Sequence, residues 1–484
     1  MSLPNLIEIE PLQAPVQAEI TVPGSKSITN RALILAALAN GKVILHGALW
    51  SEDTQAMTDC LQKLGFEIFV EEDPEEFCNR TITVQGLGGK IPNAGTAAKP
   101  LELFVGNAGT AARFLSALVC LGEGVFRLSG ISRMHERPQE GLFKALRELG
   151  YRVESEQGND KLPVLISGGS QANEAQSSER PARSCTVSIE QSSQFASALL
   201  LSAPAGNWSV KITGNNADES PYVAMTAELV KAFPANGGDF QIEPDASSGS
   251  YFWAADRVVP ETYKAPDALT VASEAAGVDS SYVSVGQWPQ TGWQADQHFP
   301  VVLLRTPSLY FDPKQFKALA VFSDDNTPAV LDETATISRE HDLGDSIMTA
   351  IAMAPFGAKP VQFTDLGRLR VQECERVVAL RTELTKCGAK VVEEGDTLTV
   401  YPSELHGAEI DTYNDHRIAM CFAILGLKVP GIKIKNPACV KKTFPNFFQK
   451  LAAQPPHGLG VKIYDPIRDP EKKHPLPHEE LFAD

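Results

Sequence analysis

The chain has 484 residues, of which 43% are apolar and 21% are charged, as in ordinary soluble globular proteins. Its formal net charge of -17 argues against nonspecific binding to nucleic acid and against attraction to anionic membranes. This length predicts two or more domains, each with its own core. No apolar run reaches the length of a membrane span, and Met1–Glu10 does not resemble a secretory signal, so we expect a cytoplasmic protein.

One arrangement recurs along the chain: a turn of small or hydroxyl-bearing residues, then a cap residue, then an apolar helix. It occurs at residues 25–28, 106–115, 191–200, 245–252, 343–348 and 413–420, three times before residue 240 and three times after it. Further helices are expected over Asp53–Leu64, Gly141–Leu149 and Val371–Cys387, each ending before a glycine. Short β-branched runs, such as Ile82–Val84, Val187–Ile189 and Thr397–Tyr401, predict strands between the helices. The pattern indicates an α/β protein with two similar halves of three repeated units each.

The segment Pro23–Arg31 combines a Pro-Gly turn, hydroxyl groups and two cations at the start of an apolar helix. Ser27 and Arg31 are four residues apart, so they share one face of the first turns. A helix N-terminus adds unpaired N–H groups and a positive dipole end. These features favour a site for a phosphate or carboxylate. The alternative is a capped core helix with a solvent-exposed lysine and arginine.

The eight cysteines are scattered without a C-x-x-C spacing, which predicts buried free thiols and neither a disulfide framework nor a zinc site. Residues 256–300 show no clear period. The segment from residue 453 to 484 is rich in proline, histidine and charge, so we expect an extended or disordered tail. Its three histidines fit no standard metal spacing.

Seven motifs together resemble the EPSP synthase (3-phosphoshikimate 1-carboxyvinyltransferase) family, from residue 10 to residue 452. In chain order they are Pro23–Arg31, Gly106–Thr110, Arg133–Pro138, Ser192–Gln194, Asp245–Ser248, Tyr413–Arg417 and Lys442–Pro445. The resemblance implies two similar domains, each of three βαβαββ-type units forming an inside-out α/β barrel, with the active site in the interdomain cleft. The expected domains are residues 26–243, which hold the shikimate phosphate, and residues 1–25 with 244–452.

The family transfers the enolpyruvyl (carboxyvinyl) group of phosphoenolpyruvate to the 5-hydroxyl of shikimate 3-phosphate and releases phosphate, on the route to chorismate and the aromatic amino acids. The resemblance therefore implies a transferase that acts on two small anionic substrates. It implies no metal and no other cofactor, because lysines and arginines supply the positive charge. We expect a monomer without nucleic-acid or membrane partners.

The resemblance also implies roles for residues of the first half. Lys26 is expected to touch both substrates, and Ser27 and Arg31 to hold the shikimate ring and its carboxylate. The phosphate of that substrate is expected at Ser192, Ser193 and Gln194, where adjacent hydroxyls meet a helix start.

Further residues match contacts to phosphoenolpyruvate: Gly109, Arg137, Arg376, Arg417 and Lys442. Gly109 has no side chain, so its backbone can approach a ligand closely. In the family, the herbicide glyphosate occupies this pocket, and a side chain at this glycine crowds it.

Two carboxylates match the family's acid–base groups. Asp345 is the candidate general base for the attacking hydroxyl, and Glu373 is the candidate for proton transfer at the methylene carbon, alongside Lys26. The structural alternative for either is an acid that stabilises a helix N-terminus. His416 is expected to pack or orient its neighbours.

Three positions depart from the family pattern. Gln372 stands where a lysine is common, and Glu219 stands where a phosphate-binding serine is usual. Arg368 or Arg370 could compensate for the first change, and Ser220 for the second. Phe114 replaces a common proline after the helix start at Gly109, which is expected to reshape that helix slightly.

Two other functions remain open from the sequence. One is the related UDP-N-acetylglucosamine enolpyruvyl transferase, or another enolpyruvyl transferase with a different acceptor. The UDP-N-acetylglucosamine enolpyruvyl transferase family uses a cysteine in the loop that matches residues 131–139, where this chain has none. The second function is a non-catalytic anion-binding homologue, against which the presence of Lys26, Asp345, Glu373 and Arg417 argues.

Overall fold

The computed structural model describes residues 3–169, 182–214, 220–258, 283–309 and 334–483. The chain forms two compact units. The N-terminal unit comprises Pro23–Pro244 and Thr291–Gln294, and the C-terminal unit comprises Met1–Val22, Asp245–Gln290 and Ala295–Asp484. Each unit has its own cluster of buried apolar side chains. The observed N-terminal unit thus begins at Pro23 and not at residue 26, ends at Pro244 and not at residue 243, and also includes Thr291–Gln294.

The described residues form thirteen α-helices. They are α1 (Lys26–Leu38), α2 (Glu52–Lys63), α3 (Gly109–Leu118), α4 (Ser132–Glu136), α5 (Glu140–Glu148), α6 (Ser193–Gly206), α7 (Ser220–Ala232), α8 (Ala246–Val258), α9 (Phe299–Arg305), α10 (Ile347–Met353), α11 (Arg376–Lys386), α12 (His416–Gly426) and α13 (Phe447–Ala452). All six predicted turn-to-helix starts are confirmed, as α1, α3, α6, α8, α10 and α12, and α2 and α5 confirm two of the other three helices. The helix expected from Val371 begins only at Arg376, because the side chain of Glu375 accepts a hydrogen bond from the Val378 N–H and caps it.

The strands lie between these helices. They are β1 (Leu6–Ile9), β2 (Ala18–Ile20), β3 (Asn40–Leu49), β4 (Ile68–Glu72), β5 (Asn79–Leu87), β6 (Leu101–Phe104), β7 (Gly124–Ser129), β8 (Arg152–Ser155), β9 (Val164–Gly168), β10 (Arg183–Ser188), β11 (Trp208–Thr213), β12 (Gly238–Gln241), β13 (Val283–Val285), β14 (Ala335–Ser338), β15 (Val361–Thr364), β16 (Val391–Glu394), β17 (Thr397–Val400), β18 (Glu409–Ile410), β19 (Lys433–Lys435) and β20 (Ile463–Tyr464).

These strands form three sheets in each unit, and no closed barrel forms among the described residues. The sheets of the N-terminal unit have the orders β12-β3-β5-β4, β6-β7-β9-β8 and β10-β11. Those of the C-terminal unit have the orders β14-β15-β17-β16, β18-β19-β1-β20 and β13-β2. One run in each unit follows the βαβαββ order: β6-α3-β7-α5-β8-β9, in which the short helix α4 precedes α5, and β14-α10-β15-α11-β16-β17. In both runs the first two strands pair in parallel and the second pairs antiparallel with the fourth, which confirms the predicted βαβαββ unit once in each half.

Three helices pack against one another within each unit: α1, α3 and α6 in the N-terminal unit, and α8, α10 and α12 in the C-terminal unit. They are predominantly apolar and largely buried; every residue of α1 from Ile28 to Ala37 is buried. A helix that is buried all round must lie inside its domain, so each unit has helices at its centre and sheets outside them. The first two turns of these six helices, together with the residues just before them, carry most of the predicted site residues.

The described residues of the tail, up to 483, are ordered, so the disordered alternative of the tail prediction is wrong there. Strand β20 pairs antiparallel with β1, and the side chains of Leu459, Ile463 and Leu481 are buried in the core of the C-terminal unit. Burial of each such side chain contributes about 1.5–3 kcal/mol, which offsets the entropy lost on ordering a polar segment. These apolar side chains are few and widely spaced, so the average composition of the tail did not indicate that it packs on the core.

Residues 256–300 show no clear period in the sequence, but they contain regular elements where the structure describes them. Strand β13 pairs in parallel with β2, and the indole N–H of Trp288 donates to the carbonyl of Gln297 at 3.0 Å. A helical turn at Ala295–His298 then leads directly into α9. No described helix is long and apolar enough to cross a membrane.

Candidate active site

The first predicted site lies at the N-terminus of α1. Lys26 is its first residue, and its ammonium nitrogen lies 3.3 Å from Oδ2 of Asp53 in the first turn of α2. The Asp53 side chain is almost fully buried, so this ion pair is only partly screened by water. Asp53 was not predicted as a site residue. Its position in the first turn of a predicted helix was the only signal, and that signal is equally typical of a structural acid.

Arg31 is buried and not a solvent-exposed arginine, so the alternative interpretation of this residue is wrong. Its guanidinium donates to the hydroxyls of Thr226 at 2.8 Å and Ser197 at 3.1 Å, and to the carbonyl of Ser27 at 2.9 Å. The Phe114 ring lies 5.3 Å from the same guanidinium, within the range of a cation–π contact. The residue that replaces a common proline therefore packs against Arg31, and α3 remains helical from Gly109 to Leu118.

The N-termini of α3 and α6 are joined by side-chain hydrogen bonds. Ser192 caps α6 by accepting from the Gln194 N–H at 3.3 Å. The Gln194 side chain accepts from Arg113 at 2.9 Å and donates to the Thr110 hydroxyl at 3.4 Å. Ser192 and Ser193 are both buried. Arg113 was missed by the sequence analysis, although it lies one helical turn after Gly109.

Gly109 allows two guanidinium groups to approach the backbone of α3. A Cβ atom at this position would lie 2.5 Å from Nη1 of Arg113 and 2.6 Å from Nη1 and Nη2 of Arg137. Arg137 also donates to the carbonyl of Asn107 at 3.3 Å. Any side chain at residue 109 must displace these cations, so glycine is required for their close approach.

In the C-terminal unit, Asp345 lies among three arginines. Its Oδ1 accepts from Nη2 of Arg339 at 3.2 Å, and its Oδ2 lies 3.4 Å from Nη1 of Arg376 and 3.3 Å from Nε of Arg417. Burial by itself raises the pKa of Asp345, but Arg417, Arg376 and Arg339 outweigh it and hold this pKa well below its ordinary value. Asp345 is therefore ionised at neutral pH. Arg339 was not predicted.

Asp415 contacts both arginines that lie nearest to Asp345 Oδ2, Arg376 through its side chain and Arg417 through its backbone. It caps α12 by accepting from the Arg417 N–H at 2.9 Å, and it binds Arg376 through Nε at 2.7 Å and Nη2 at 3.2 Å. Arg417 also donates to the hydroxyl of Ser247 at the start of α8. The two-pronged pair gives the Arg376 guanidinium a defined orientation. His416 is buried next to Asp415, with its Nδ1 3.8 Å from Oδ1 of Asp415.

Glu373 lies between two cations: its Oε1 is 3.1 Å from Lys442 and its Oε2 is 2.9 Å from Arg376. The neighbouring Gln372 accepts from Arg376 and donates to Oδ1 of Asp345 at 3.4 Å. Arg370 instead binds three carboxylates, those of Glu375, Glu393 and Asp396. Glu219 lies outside the described residues.

The site residues thus form two clusters, one in each unit. The N-terminal cluster offers cations and helix N-termini, which suit phosphate and carboxylate groups. The C-terminal cluster combines further cations with carboxylates, and these carboxylates can accept or donate protons. Within the described parts of the chain, no group of three or more histidine, cysteine, aspartate or glutamate residues is arranged to hold a metal ion.

Comparison with solved structures supports the fold. The chain superposes on EPSP synthase from Acinetobacter baumannii with a TM-score of 0.64 at 20% identity, covering 95% of this chain and 100% of that one. It superposes on the enolpyruvyl transferase NikO from Streptomyces tendae with a TM-score of 0.61 at 14% identity, covering 95% and 98%. Likeness at these identities shows the shared two-domain α/β architecture and no more.

Sequence comparison is more specific. The 3-phosphoshikimate 1-carboxyvinyltransferase of Opitutus terrae is 36% identical over 481 residues, which cover 93% of this chain and 98% of the relative. The enzyme of the same name from Trichormus variabilis is 35% identical over 469 residues, covering 92% and 98%. The profile of the family described as EPSP synthase (3-phosphoshikimate 1-carboxyvinyltransferase) matches residues 12–276 and 333–451. The chain therefore belongs to the EPSP synthase family.

Proposed function

We propose that this chain transfers the enolpyruvyl group of phosphoenolpyruvate to the 5-hydroxyl of shikimate 3-phosphate, with release of phosphate. The observation that carries this proposal is the position of Asp345 among Arg339, Arg376 and Arg417, close to the Glu373–Lys442 pair. The reaction needs a base for the hydroxyl, a proton for the methylene carbon and positive charge for the departing phosphate. This cluster contains all three kinds of group.

In the proposed reaction, the N-terminal cluster holds the acceptor. The buried guanidinium of Arg31 binds the shikimate carboxylate, since its fork can donate to two oxygens at once. Ser27 contacts the ring, while Ser192, Ser193 and Gln194 bind the phosphate at the start of α6. Lys26 contacts both substrates.

We propose that phosphoenolpyruvate is bound by Arg137 beside Gly109, and by Arg376, Arg417 and Lys442. The last three contact the carboxylates of Asp415, Asp345 and Glu373, respectively. An incoming anion competes with these carboxylates for the same donors. Part of the binding energy is therefore used to exchange internal ion pairs for contacts with the substrate.

This exchange also changes the strength of the base. Burial raises the pKa of Asp345, but the three arginines lower it further than burial raises it, so Asp345 is ionised and weakly basic while these arginines contact it. When phosphoenolpyruvate takes up part of the charge of Arg376 and Arg417, the pKa of Asp345 rises. Asp345 then accepts the proton of the 5-hydroxyl more readily as this oxygen bonds to the enol carbon, and Glu373 with Lys26 delivers a proton to the methylene carbon. In the second half of the reaction, Glu373 with Lys26 takes back a proton from the resulting methyl group while the C–O bond to phosphate breaks, and Asp345 returns its proton to the departing phosphate. His416 packs against Asp415 and orients it.

We also propose that the enzyme acts as a cytoplasmic monomer without nucleic-acid partners. The substrate-binding groups invoked above all belong to one chain. The eight cysteines are free thiols, as is usual in a reducing compartment. Burial raises the pKa of the Cys60 and Cys421 thiols to about 12, which keeps them protonated and unreactive. Sedimentation velocity with and without both substrates tests the monomer directly.

The experiment that tests the proposed reaction is phosphate release from phosphoenolpyruvate with three acceptor conditions: shikimate 3-phosphate, UDP-N-acetylglucosamine, and none. We expect release only with shikimate 3-phosphate. Release with the UDP-sugar alone would assign the chain to the other enolpyruvyl transferase. Binding of both substrates without release would favour a non-catalytic homologue.

A further inference from the structure

A buried acid that the reaction scheme does not use lies directly behind Asp345. Asp296 belongs to the helical turn Ala295–His298, and 7% of its surface is exposed. Its Oδ1 accepts three hydrogen bonds: from the backbone N–H of Gly344 at 2.8 Å, from the N–H of Ser346 at 3.0 Å and from the Ser346 hydroxyl at 2.5 Å. One carboxylate oxygen therefore holds the residues immediately before and after Asp345.

The local backbone is suited to this contact. A Cβ atom on Gly344 would lie 3.0 Å from Oδ1 and 3.1 Å from Oδ2 of Asp296, so glycine lets the carboxylate lie flat against the turn. The side chain of Asp345 extends from the same turn to Arg339, Arg376 and Arg417. The Gly344–Ser346 turn thus connects a buried carboxylate to the candidate base.

We propose that Asp296 is a positioning residue for the transfer reaction, because its hydrogen bonds to Gly344 and Ser346 set the place of the Asp345 carboxylate. The inference rests on the proposed function, in which Asp345 takes the proton of the acceptor hydroxyl. Proton transfer requires the two heavy atoms to be within hydrogen-bond distance. A displacement of about 1 Å at a reacting group typically lowers the rate by about 10²-fold.

Two substitutions of Asp296 separate the effect of its hydrogen bonds from the effect of its charge. Burial raises the pKa of Asp296, and the charge of Asp345 raises it further, while the hydrogen bonds from Ser346 and the charge of Arg417 oppose the rise. An amide oxygen at residue 296 can accept the same bonds from Gly344 and Ser346 without a charge. Asp296→Asn therefore preserves the positioning contact, and Asp296→Ala removes it.

The test compares Asp296→Ala, Asp296→Asn and Gly344→Ala with the wild type. Asp256→Ala is the matched control, because Asp256 is another buried acid of this unit that accepts a backbone N–H, that of Val283 at 2.8 Å. Two readouts are needed: kcat and KM for phosphate release, and hydrogen–deuterium exchange of the peptide spanning residues 343–348.

We expect Asp296→Ala to lower kcat by about 10–100-fold, with the KM values of both substrates within about threefold of wild type. Exchange at residues 343–348 should be faster in this variant. Asp296→Asn should recover kcat to within about fivefold of wild type and restore slow exchange, since its amide accepts the same bonds. Gly344→Ala should lower kcat several-fold, whereas Asp256→Ala should change neither readout.

The inference is overturned if Asp296→Ala keeps kcat within about threefold of wild type, or if alanine and asparagine lower kcat equally. Unchanged exchange at residues 343–348 in Asp296→Ala also overturns it. Wild-type protein that releases no phosphate refutes the proposed function instead, and in that case the exchange measurement still decides whether Asp296 holds the turn.

Discussion

Replacing Asp345 by asparagine keeps the size of the side chain but removes its charge and its capacity to take up a proton. If Asp345 is the general base, we expect kcat to fall by about 10²–10⁴-fold. This loss corresponds to about 3–5 kcal/mol in the activation barrier. The amide oxygen can still accept from Arg339, so the turn at residues 344–346 is expected to keep its conformation.

The effect of the same substitution on phosphoenolpyruvate binding has the opposite sign. Oδ2 of Asp345 lies 3.4 Å from Arg376 and 3.3 Å from Arg417, the cations proposed to bind this substrate. Without the charge of Asp345, these cations are more available to the anion. A pair of this kind contributes on the order of 1 kcal/mol, so KM should stay the same or fall by up to about fivefold.

The assay is steady-state phosphate release at saturating shikimate 3-phosphate, combined with equilibrium binding of phosphoenolpyruvate by calorimetry. Asp342→Asn is the matched control: this acid lies three residues away and accepts from the Ser338 N–H at 2.8 Å, which an amide oxygen can also do. We expect its kcat to stay within about twofold of wild type. A kcat near the wild-type value in Asp345→Asn would refute the base assignment, and so would a loss explained by weaker phosphoenolpyruvate binding.

Three further outcomes follow from the structure. Gly109→Ala should raise KM for phosphoenolpyruvate on the order of tenfold and weaken inhibition by glyphosate, because the added Cβ would lie 2.5–2.6 Å from guanidinium nitrogens. An unchanged KM in the phosphate-release assay would contradict this prediction. Since the pKa of Asp345 is lowered by folding, its stabilising contribution is present above its ordinary pKa of about 3.9 and is lost as the pH falls towards the lower folded value. Between about pH 6 and about pH 3, the free energy of unfolding measured with urea should therefore decrease less in Asp345→Asn than in wild type. Equal decreases would argue against the lowered pKa of Asp345. Ending the chain after residue 453 should lower the melting temperature by at least about 5 °C, because buried side chains such as Leu459, Ile463 and Leu481 are lost; an unchanged melting temperature would show that the tail does not stabilise the fold.

Local chemistry made several elements predictable from the sequence. The six turn-to-helix starts depend on cap residues and small-residue turns within a few positions of each other, and all six are helix starts in the structure. The alternation of strand and helix patterns predicted repeated α/β units, and the resemblance to the family implied their βαβαββ order. Gly109 was predicted from its motif, and the structure adds the physical reason, which is the close approach of Arg113 and Arg137.

Features that depend on distant partners were not predictable. Lys26 and Asp53 are 27 residues apart, and Asp296 and Ser346 are 50 residues apart, so no local pattern joins them. The start of α11 was placed too early, because the helical pattern continues through residues that instead form the turn carrying Gln372 and Glu373. The tail was misread because its average composition is polar, whereas its order depends on a few apolar side chains that pack on the core.

Phosphorus NMR of one reaction mixture tests the central claim most directly. With equimolar phosphoenolpyruvate and shikimate 3-phosphate, we expect the enol phosphate signal to convert to inorganic phosphate, while the phosphate ester of shikimate remains and shifts slightly. The same enzyme should leave phosphoenolpyruvate intact when the acceptor is omitted or replaced by UDP-N-acetylglucosamine. An unchanged enol phosphate signal with shikimate 3-phosphate, or equal phosphate release without it, would contradict the proposed transfer.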